Sequence, residues 1–248
     1  MVRKRLITVL TVNNGVLFRT RNFIPDYRYT LNFVDAWSVD EVVLLDITRP
    51  AEGDRENFLE VVKHFSRNCF VPLTVGGGVR SLEDFRILLN MGADKVSINT
   101  HAFMRPEFIT EAARLYGSQC VVVSVDAKPK GQGLYSVCTR WGTQEHPEGP
   151  AEWARRAQEH GAGEILVQSI DKDGTLEGYD NALNRLVCEA VDIPVLVCSG
   201  AGKWKNFVDG FKEGGASGVC TTNIYHFTET SIKSAKQFIH HAGVDVRL

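Results

Sequence analysis

The sequence predicts an α/β fold: a single (β/α)8 TIM barrel spanning residues 1–248 and built from two half-barrel repeats. Three observations predict it. Eight short β-branched runs alternate with longer amphipathic segments. The chain repeats itself at a fixed spacing. A glycine-rich turn falls at the same place in each repeat.

The strand candidates are LITVLTV at 6–12, EVVLLDI at 41–47, FVPLTV at 70–75, KVSIN at 95–99, QCVVVSVD at 119–126, EILVQSI at 164–170, IPVLVCS at 193–199 and GVCTT at 218–222. Between them lie helix-like stretches such as RENFLEVVKHFSR, SLEDFRILLNMG, RPEFITEAARLYG, GPAEWARRAQEHG and GKWKNFVDGFKEGG. Several end in glycine, which takes left-handed backbone angles just past a helix C-terminus without steric cost. Ser81 and Asp84 of SLED read as a helix N-terminal cap. Strand–helix alternation implies a parallel sheet with crossover helices. An open doubly wound sheet shares that alternation, so the repeat carries the argument for closure.

The segment from Pro72, P-LTV-GGGVRSLEDF-RILLNMGADKVSINT, aligns with the segment from Pro194, P-VLV-CSGAGKWKNF-VDGFKEGGASGVCTT. Gly78 pairs with Gly200, Phe85 with Phe207 and Gly92 with Gly214, each pair 122 residues apart. EVVLLDIT at 41–48 parallels EILVQSID at 164–171 more loosely. Each half then holds four βα units, and no linker composition divides them.

Composition narrows the function. The net charge of -2 offers no basic excess for nucleic acid, so any anion site has to be built locally. Cys69, Cys120, Cys138, Cys188, Cys198 and Cys220 form no C-x-x-C pair and sit in or beside apolar runs, as reduced thiols of a cytoplasmic protein do. The apolar part of MVRKRLITVLTVNNG breaks too early for a signal peptide, and no run approaches a membrane span. No His/Cys cluster has ligand spacing, so neither a metal nor a cofactor is expected.

The turns VGGGVR, with Gly77 and Gly78, and CSGAGK, with Ser199 and Gly200, each end a strand and open a helix. Glycines there let backbone N–H groups approach an anion, and the following helix adds its positive end. Tight turns without a ligand would look similar. Two at repeat-equivalent positions favour two phosphate sites, one at each end of an elongated substrate. Asn99 and Thr100 after strand four, and Thr222 and Asn223 after strand eight, are the expected helpers. Asp126 ends strand five, and Asp173 and Gly174 follow strand six in SIDKDGT. A carboxylate at the top of a barrel strand suits acid/base work. Asp46 and Asp171 read better as loop hydrogen-bonding residues.

Residues two apart share a strand face, so Arg5, Glu41, Lys95 and Glu164 should point into the barrel at its N-terminal mouth. They would form a ring of alternating charge below a narrow bore. A structural salt-bridge plug and a functional ring fit this pattern equally.

LITVLTVNNG, LLDIT, TVGGGVRS, GADKVSINT, VVVSVDAK, GAGEILVQSIDKDGTLEGYD and the terminal HAGVDVRL resemble the cyclase subunit family of imidazole glycerol phosphate synthase. The resemblance covers essentially the whole chain. It implies a barrel of histidine biosynthesis with a glutaminase subunit at the barrel bottom. Ammonia from glutamine would cross the barrel to a bis-phosphorylated nucleotide at the top. By resemblance, Arg5, Glu41, Lys95 and Glu164 are the ammonia gate and Asp94 faces the glutaminase. Asp126 is one of two principal catalytic aspartates and Asp173 an active-site aspartate. Gly78, Asn99 and Thr100 hold one phosphate.

The departures from the family pattern run in one direction. Thr11 stands where the family has its second catalytic aspartate, and the repeat places Thr11 opposite Asp126 as well. A hydroxyl orients a ligand but takes no proton near neutral pH. Ser199 replaces a glycine in the second phosphate turn, Arg19 replaces a lysine after strand one, and TRWGTQEH at 139–146 replaces a smaller, more polar segment. Docking and ammonia features are kept while cyclase features change. This resembles a branch of the family found beside surface-polysaccharide genes, whose members are thought to pass ammonia to a further protein that makes an acetamidino sugar.

Overall fold

The computed structural model describes residues 3–28, 39–49, 53, 55–221 and 232–248. Thr222 and Asn223, the helpers expected after strand eight, lie outside the described residues.

Eight parallel strands close on themselves. They are β1 (Arg5–Asn13), β4 (Glu41–Asp46), β5 (Leu73–Gly76), β6 (Lys95–Ile98), β7 (Val121–Gly131), β10 (Glu164–Ser169), β11 (Val195–Cys198) and β12 (Gly218–Thr221). Pairing of β12 with β1 and of β7 with β10 leaves no free barrel edge. The expected closed barrel is what forms. The third strand starts only at Leu73 and the seventh only at Val195. Ser118–Cys120 is a 3-10 turn leading into β7.

Around the barrel lie α1 (Arg55–Asn68), α2 (Leu82–Asn90), α3 (Thr100–Met104), α4 (Glu107–Tyr116), α5 (Pro150–Glu159), α6 (Asn181–Cys188), α7 (Trp204–Lys212) and α8 (Ile232–His241). Their buried faces follow helical spacing, as in Phe58, Val61, Val62 and Phe65 of α1. The SLED cap forms: Asp84 N–H donates to Ser81 Oγ (3.1 Å) and Ser81 N–H to Asp84 Oδ2 (3.0 Å). One large core fills the space between strands and helices. A second, smaller one fills the barrel interior with Ile7, Val9, Val43, Leu45, Val122, Leu166, Leu196 and Cys220.

Two hairpins absent from the eight-strand reading rise from the top. β2 (Val16–Arg21) and β3 (Ile24–Arg28) extend β1; β8 (Leu134–Thr139) and β9 (Gln144–Glu145) extend β7. Both connections are two-residue turns with left-handed φ at each position: Asn14 and Gly15 in one, Gln132 and Gly133 in the other. Asn-Gly between β-branched runs is a hairpin signal that was legible in the sequence. The hairpins follow the first strand of each half, so they obey the repeat.

Strand register sharpens the repeat. Ile7 pairs with Glu41 and Thr11 with Leu45, while Val122 pairs with Glu164 and Asp126 with Gln168. Thr11 therefore occupies the Asp126 position in the other half-barrel. One pairing needs correction. Thr74 pairs with Lys95 and Leu196 with Gly218, so the second half carries one extra residue before its last strand. Gly92 then matches Gly215 rather than Gly214. Its left-handed φ of 103° is shared by Gly215 at 78°.

Candidate functional site

The C-terminal ends of the strands bring the candidate residues together. Thr11, Thr20, Gln168, Asp173, Gly174, Ser199 and Gly200 line one cavity of about 50 Å³, with Val9, Cys198 and Cys220 at its floor. That is room for a few waters or one compact anion.

Asp126 stands one hydrogen bond behind this cavity and is only 5% exposed. Its Oδ1 accepts from Ser124 Oγ (2.9 Å) and Gln168 Nε2 (3.1 Å), and its Oδ2 from Asn99 Nδ2 (2.7 Å). Burial pushes its carboxyl up to about 6, and Asp173 adds to the rise, while the three donors hold it down. Such a group is ionised at neutral pH yet basic enough to take a proton. Sequence reasoning missed Gln168 and Ser124 as its donors; their inward alternation with Asp126 and Glu164 was the available signal.

The equivalent pocket around Thr11 is different. Thr11 Oγ1 donates to the Phe18 carbonyl on its own hairpin. Its register neighbour is Leu45 where Asp126 has Gln168, and Val9 stands where Ser124 does. Neither Leu45 nor Val9 carries a donor to hold a carboxylate there, as Gln168 and Ser124 do for Asp126.

Asp173 ties down a strained turn. Asn22 and Phe23 have φ of 52° and 63°, costly for side chains with a Cβ. The Phe23 N–H donates to Asp173 Oδ2 (3.0 Å) and the Asn22 N–H to the Asp173 carbonyl (3.3 Å). Burial raises the Asp173 carboxyl, against the bonds from Phe23 and Thr20 and the Arg19 charge. Gly174 lies against the same hairpin: a Cβ there would sit 2.5 Å from the Thr20 carbonyl oxygen. Arg19 itself pairs with Asp26 on β3.

The glycine-rich turns have the expected backbone. Gly77, Gly78 and Gly200 all take left-handed φ, and a Cβ on Gly77 would meet the Asp46 carbonyl oxygen at 2.2 Å. The Gly78 carbonyl accepts from Arg55 Nη1 (2.6 Å), and the Gly200 carbonyl from the Gly178 N–H (2.7 Å). Arg55 thus brings a cation to the first turn; at the second, the Lys172 Cβ packs beside Gly200 while its ammonium pairs with Glu177 (3.6 Å). Neither was singled out in the sequence, because each follows the preceding barrel strand, Arg55 at the start of α1 and Lys172 in the loop after β10. Asn99 and Thr100 are already engaged: Asn99 with Asp126, and the Thr100 hydroxyl as acceptor from the Arg140 N–H (3.1 Å). Asp46 accepts from the Thr48 N–H (2.9 Å) in its own loop, and Asp171 is exposed.

At the opposite mouth the four charged residues form a closed ring. Arg5 bonds Glu41 (2.8 Å) and Glu164; Lys95 bonds Glu41 (2.9 and 3.1 Å) and Glu164 (2.9 Å). Glu41 is 1% exposed and also accepts from Thr74 Oγ1 (2.8 Å). Glu41 and Glu164 are repeat mates. Arg5 and Lys95 are not: their mates are Cys120 and Gly218, and at Gly218 a Cβ would meet Leu196 and Ile7 within 2.8 Å. The bore expected above the ring is filled by Ile7, Val43, Val122, Leu166 and Leu196, all fully buried, with Thr74 and Ser97 adding hydroxyls. Asp94 sits beside the ring, exposed, with one oxygen accepting from the Leu73 N–H (2.8 Å).

Among the described residues, no group of three or more His, Cys, Asp or Glu side chains could hold a metal. No helix there is long and apolar enough to cross a membrane. The model of the family described as histidine biosynthesis protein matches residues 8–231.

Proposed function

The chain belongs to the histidine biosynthesis protein family, and within it we propose that this barrel is the synthase subunit of a glutamine amidotransferase complex. It is of the imidazole glycerol phosphate synthase type. A glutaminase docks at the N-terminal face, and ammonia crosses the barrel to a phosphorylated acceptor at the C-terminal face.

The ring of Arg5, Glu41, Lys95 and Glu164 carries this reading. Burying two carboxylates with two half-buried cations is expensive, and apolar residues of similar volume commonly stabilise as well or better. Two cations and two carboxylates cancel, leaving no net charge to trap a neutral molecule. The apolar layers above the ring favour ammonia over ammonium, whose charge has no partner there. Lys95 and Arg5 both bridge the two carboxylates, and Lys95 is the member suited to move, since its ammonium rides on a flexible stem whereas the Arg5 guanidinium is a rigid planar fork. The exposed carboxylate of Asp94 beside the ring supports docking at this face. At the other end, Asp126 is the candidate base, and the two glycine-rich turns, the first with Arg55 beside it, are the candidate phosphate cradles.

One observation favours a second reading of the chemistry. The Thr11 hydroxyl is spent on Phe18, so the acid/base pair has one carboxylate. In this reading the barrel still conducts ammonia but has lost or reduced its cyclase activity. It serves an amidotransferase of acetamidino-sugar (surface-polysaccharide) synthesis, with a third protein performing the amidation.

The test supplies the bis-phosphorylated nucleotide with ammonium salt at high pH. Imidazole glycerol phosphate formed at the rate of an aspartate-bearing relative supports the cyclase. No product from the natural chain, but product from Thr11→Asp, supports the second reading. In the glutaminase complex, Lys95→Ala should uncouple glutamine hydrolysis from ammonia use; unchanged coupling would sink the gate.

A further inference from the structure

Ser199 is strained, buried and unsatisfied at once. Its φ of 79° lies in the left-handed region, where its repeat mate Gly77 has 96°. It is 6% exposed, and its Oγ has no hydrogen-bond partner. It lines the cavity beside Gly174, Gly200 and Thr11. A non-glycine residue in this conformation persists only when something else requires it. A buried hydroxyl without a partner is a further cost.

The residue beside this turn differs between the halves. In the first half a Gly77 Cβ would collide with the backbone and Cβ of Asp46, at 2.2–2.7 Å. In the second half the matching residue, after the register pair Gln168 and Cys198, is the smaller Ser169. The Ser169 Oγ is also buried without a partner. Glycine would remove the strain and the orphaned hydroxyl together.

We propose that Ser199 is a side-chain ligand for a phosphate group in the second half-barrel, donating its hydroxyl to a phosphate oxygen where the first half offers backbone alone at Gly77. The two ends of the acceptor are therefore held unequally, and the hydroxyl fixes which phosphate enters which half. This inference rests on the phosphorylated-acceptor reading above.

Inorganic phosphate titrated by NMR tests it, following the amides of Gly174 and Gly200 for one site and of Gly78 for the other. Ser199→Ala removes the hydroxyl and keeps the strain; Ser199→Gly removes both. Each should weaken phosphate roughly ten-fold at Gly174 and Gly200, the worth of one hydrogen bond to a charged acceptor, and leave Gly78 unchanged. Ser199→Gly should also melt at a higher temperature than Ser199→Ala. Unchanged affinity in Ser199→Ala would overturn the ligand role while leaving the acceptor reading intact. No response of any of these amides in the natural chain would overturn the phosphorylated-acceptor reading itself.

Discussion

The two half-barrels share a backbone and differ in chemistry. Both open with a strand running into a hairpin through a two-residue left-handed turn. Both place a glycine-rich turn before a helix whose third residue reaches back to the two N–H groups just ahead of it. Asp84 accepts from the N–H groups of Arg80 and Ser81, and Asn206 from those of Gly202 and Lys203. Yet one half carries Asp126 with three donors, and the other carries Thr11 between Val9 and Leu45. A repeat fixes where side chains project; single positions decide what they do there. The bottom ring teaches the same lesson, since its carboxylates obey the repeat and its cations do not.

The sharpest test of this asymmetry is Asp126→Asn. If Asp126 is the working base, turnover should fall by about 10²–10⁴-fold. Retention of the natural rate would remove Asp126 from the mechanism. The same substitution should stabilise the fold. A carboxyl raised from 3.8 to about 6 binds its proton more tightly folded than unfolded. Its contribution is full below pH 3.8 and is lost as pH rises through about 6, a swing of about 3 kcal/mol. Asp126→Asn should therefore raise the melting temperature at pH 8 and much less at pH 4; equal shifts at both would contradict the buried carboxylate.

The ring separates the halves next. Truncating Glu41 leaves Thr74 without its acceptor and Lys95 and Arg5 with Glu164 alone, at about 3–5 kcal/mol by denaturant unfolding. Glu164→Ala should cost less, because Glu164 has no threonine donor. A larger loss for Glu164 would reverse this ordering.

Asp173→Ala should cost about 1–3 kcal/mol, the desolvation of the Phe23 N–H it leaves unpaired. Hydrogen exchange at Phe23 should speed up while Arg140, in the second hairpin, whose N–H donates to the Thr100 hydroxyl, stays protected. Equal changes in both hairpins would show that Asp173 holds more than its own turn.

The smallest expected effect compares the caps. Asp84→Ala and Asn206→Ala should each cost about 1 kcal/mol. Only the first should depend on pH. Asp84 is desolvated, but the N–H groups of Arg80 and Ser81, the Ser81 hydroxyl and Arg55 hold its carboxyl below the ordinary range. Its stabilising effect is present above pH 3.8 and fades as pH falls through its lowered folded value. A pH-independent cost for Asp84→Ala would contradict this.

Much of this molecule was legible in order along the chain. Eight β-branched runs, the spacing between Gly78 and Gly200, and the cap of Ser81 and Asp84 fixed a barrel of two halves. The runs and the cap are local signals, set by backbone propensity and by residues within a few positions of one another, and the repeat is read by aligning the chain with itself. Alternation within strands even placed Arg5, Glu41, Lys95 and Glu164 in the lumen. The hairpins were missed because Asn14-Gly15 is one short signal inside a run that otherwise reads as strand followed by loop.

What only the tertiary structure decided concerns partners far apart in sequence. That the four charges close into one ring, that Asp126 draws on Asn99 and Gln168, and that Asp173 grips the turn at Phe23 depend on which strands become neighbours when the barrel closes. The extra residue that moves the mate of Gly92 to Gly215 emerged from strand register alone. The sequence by itself determined the scaffold and most candidate positions. Closure decided which of them share a hydrogen bond, because hydrogen-bond geometry is set by Ångström-scale contact between strands that sequence distance does not encode.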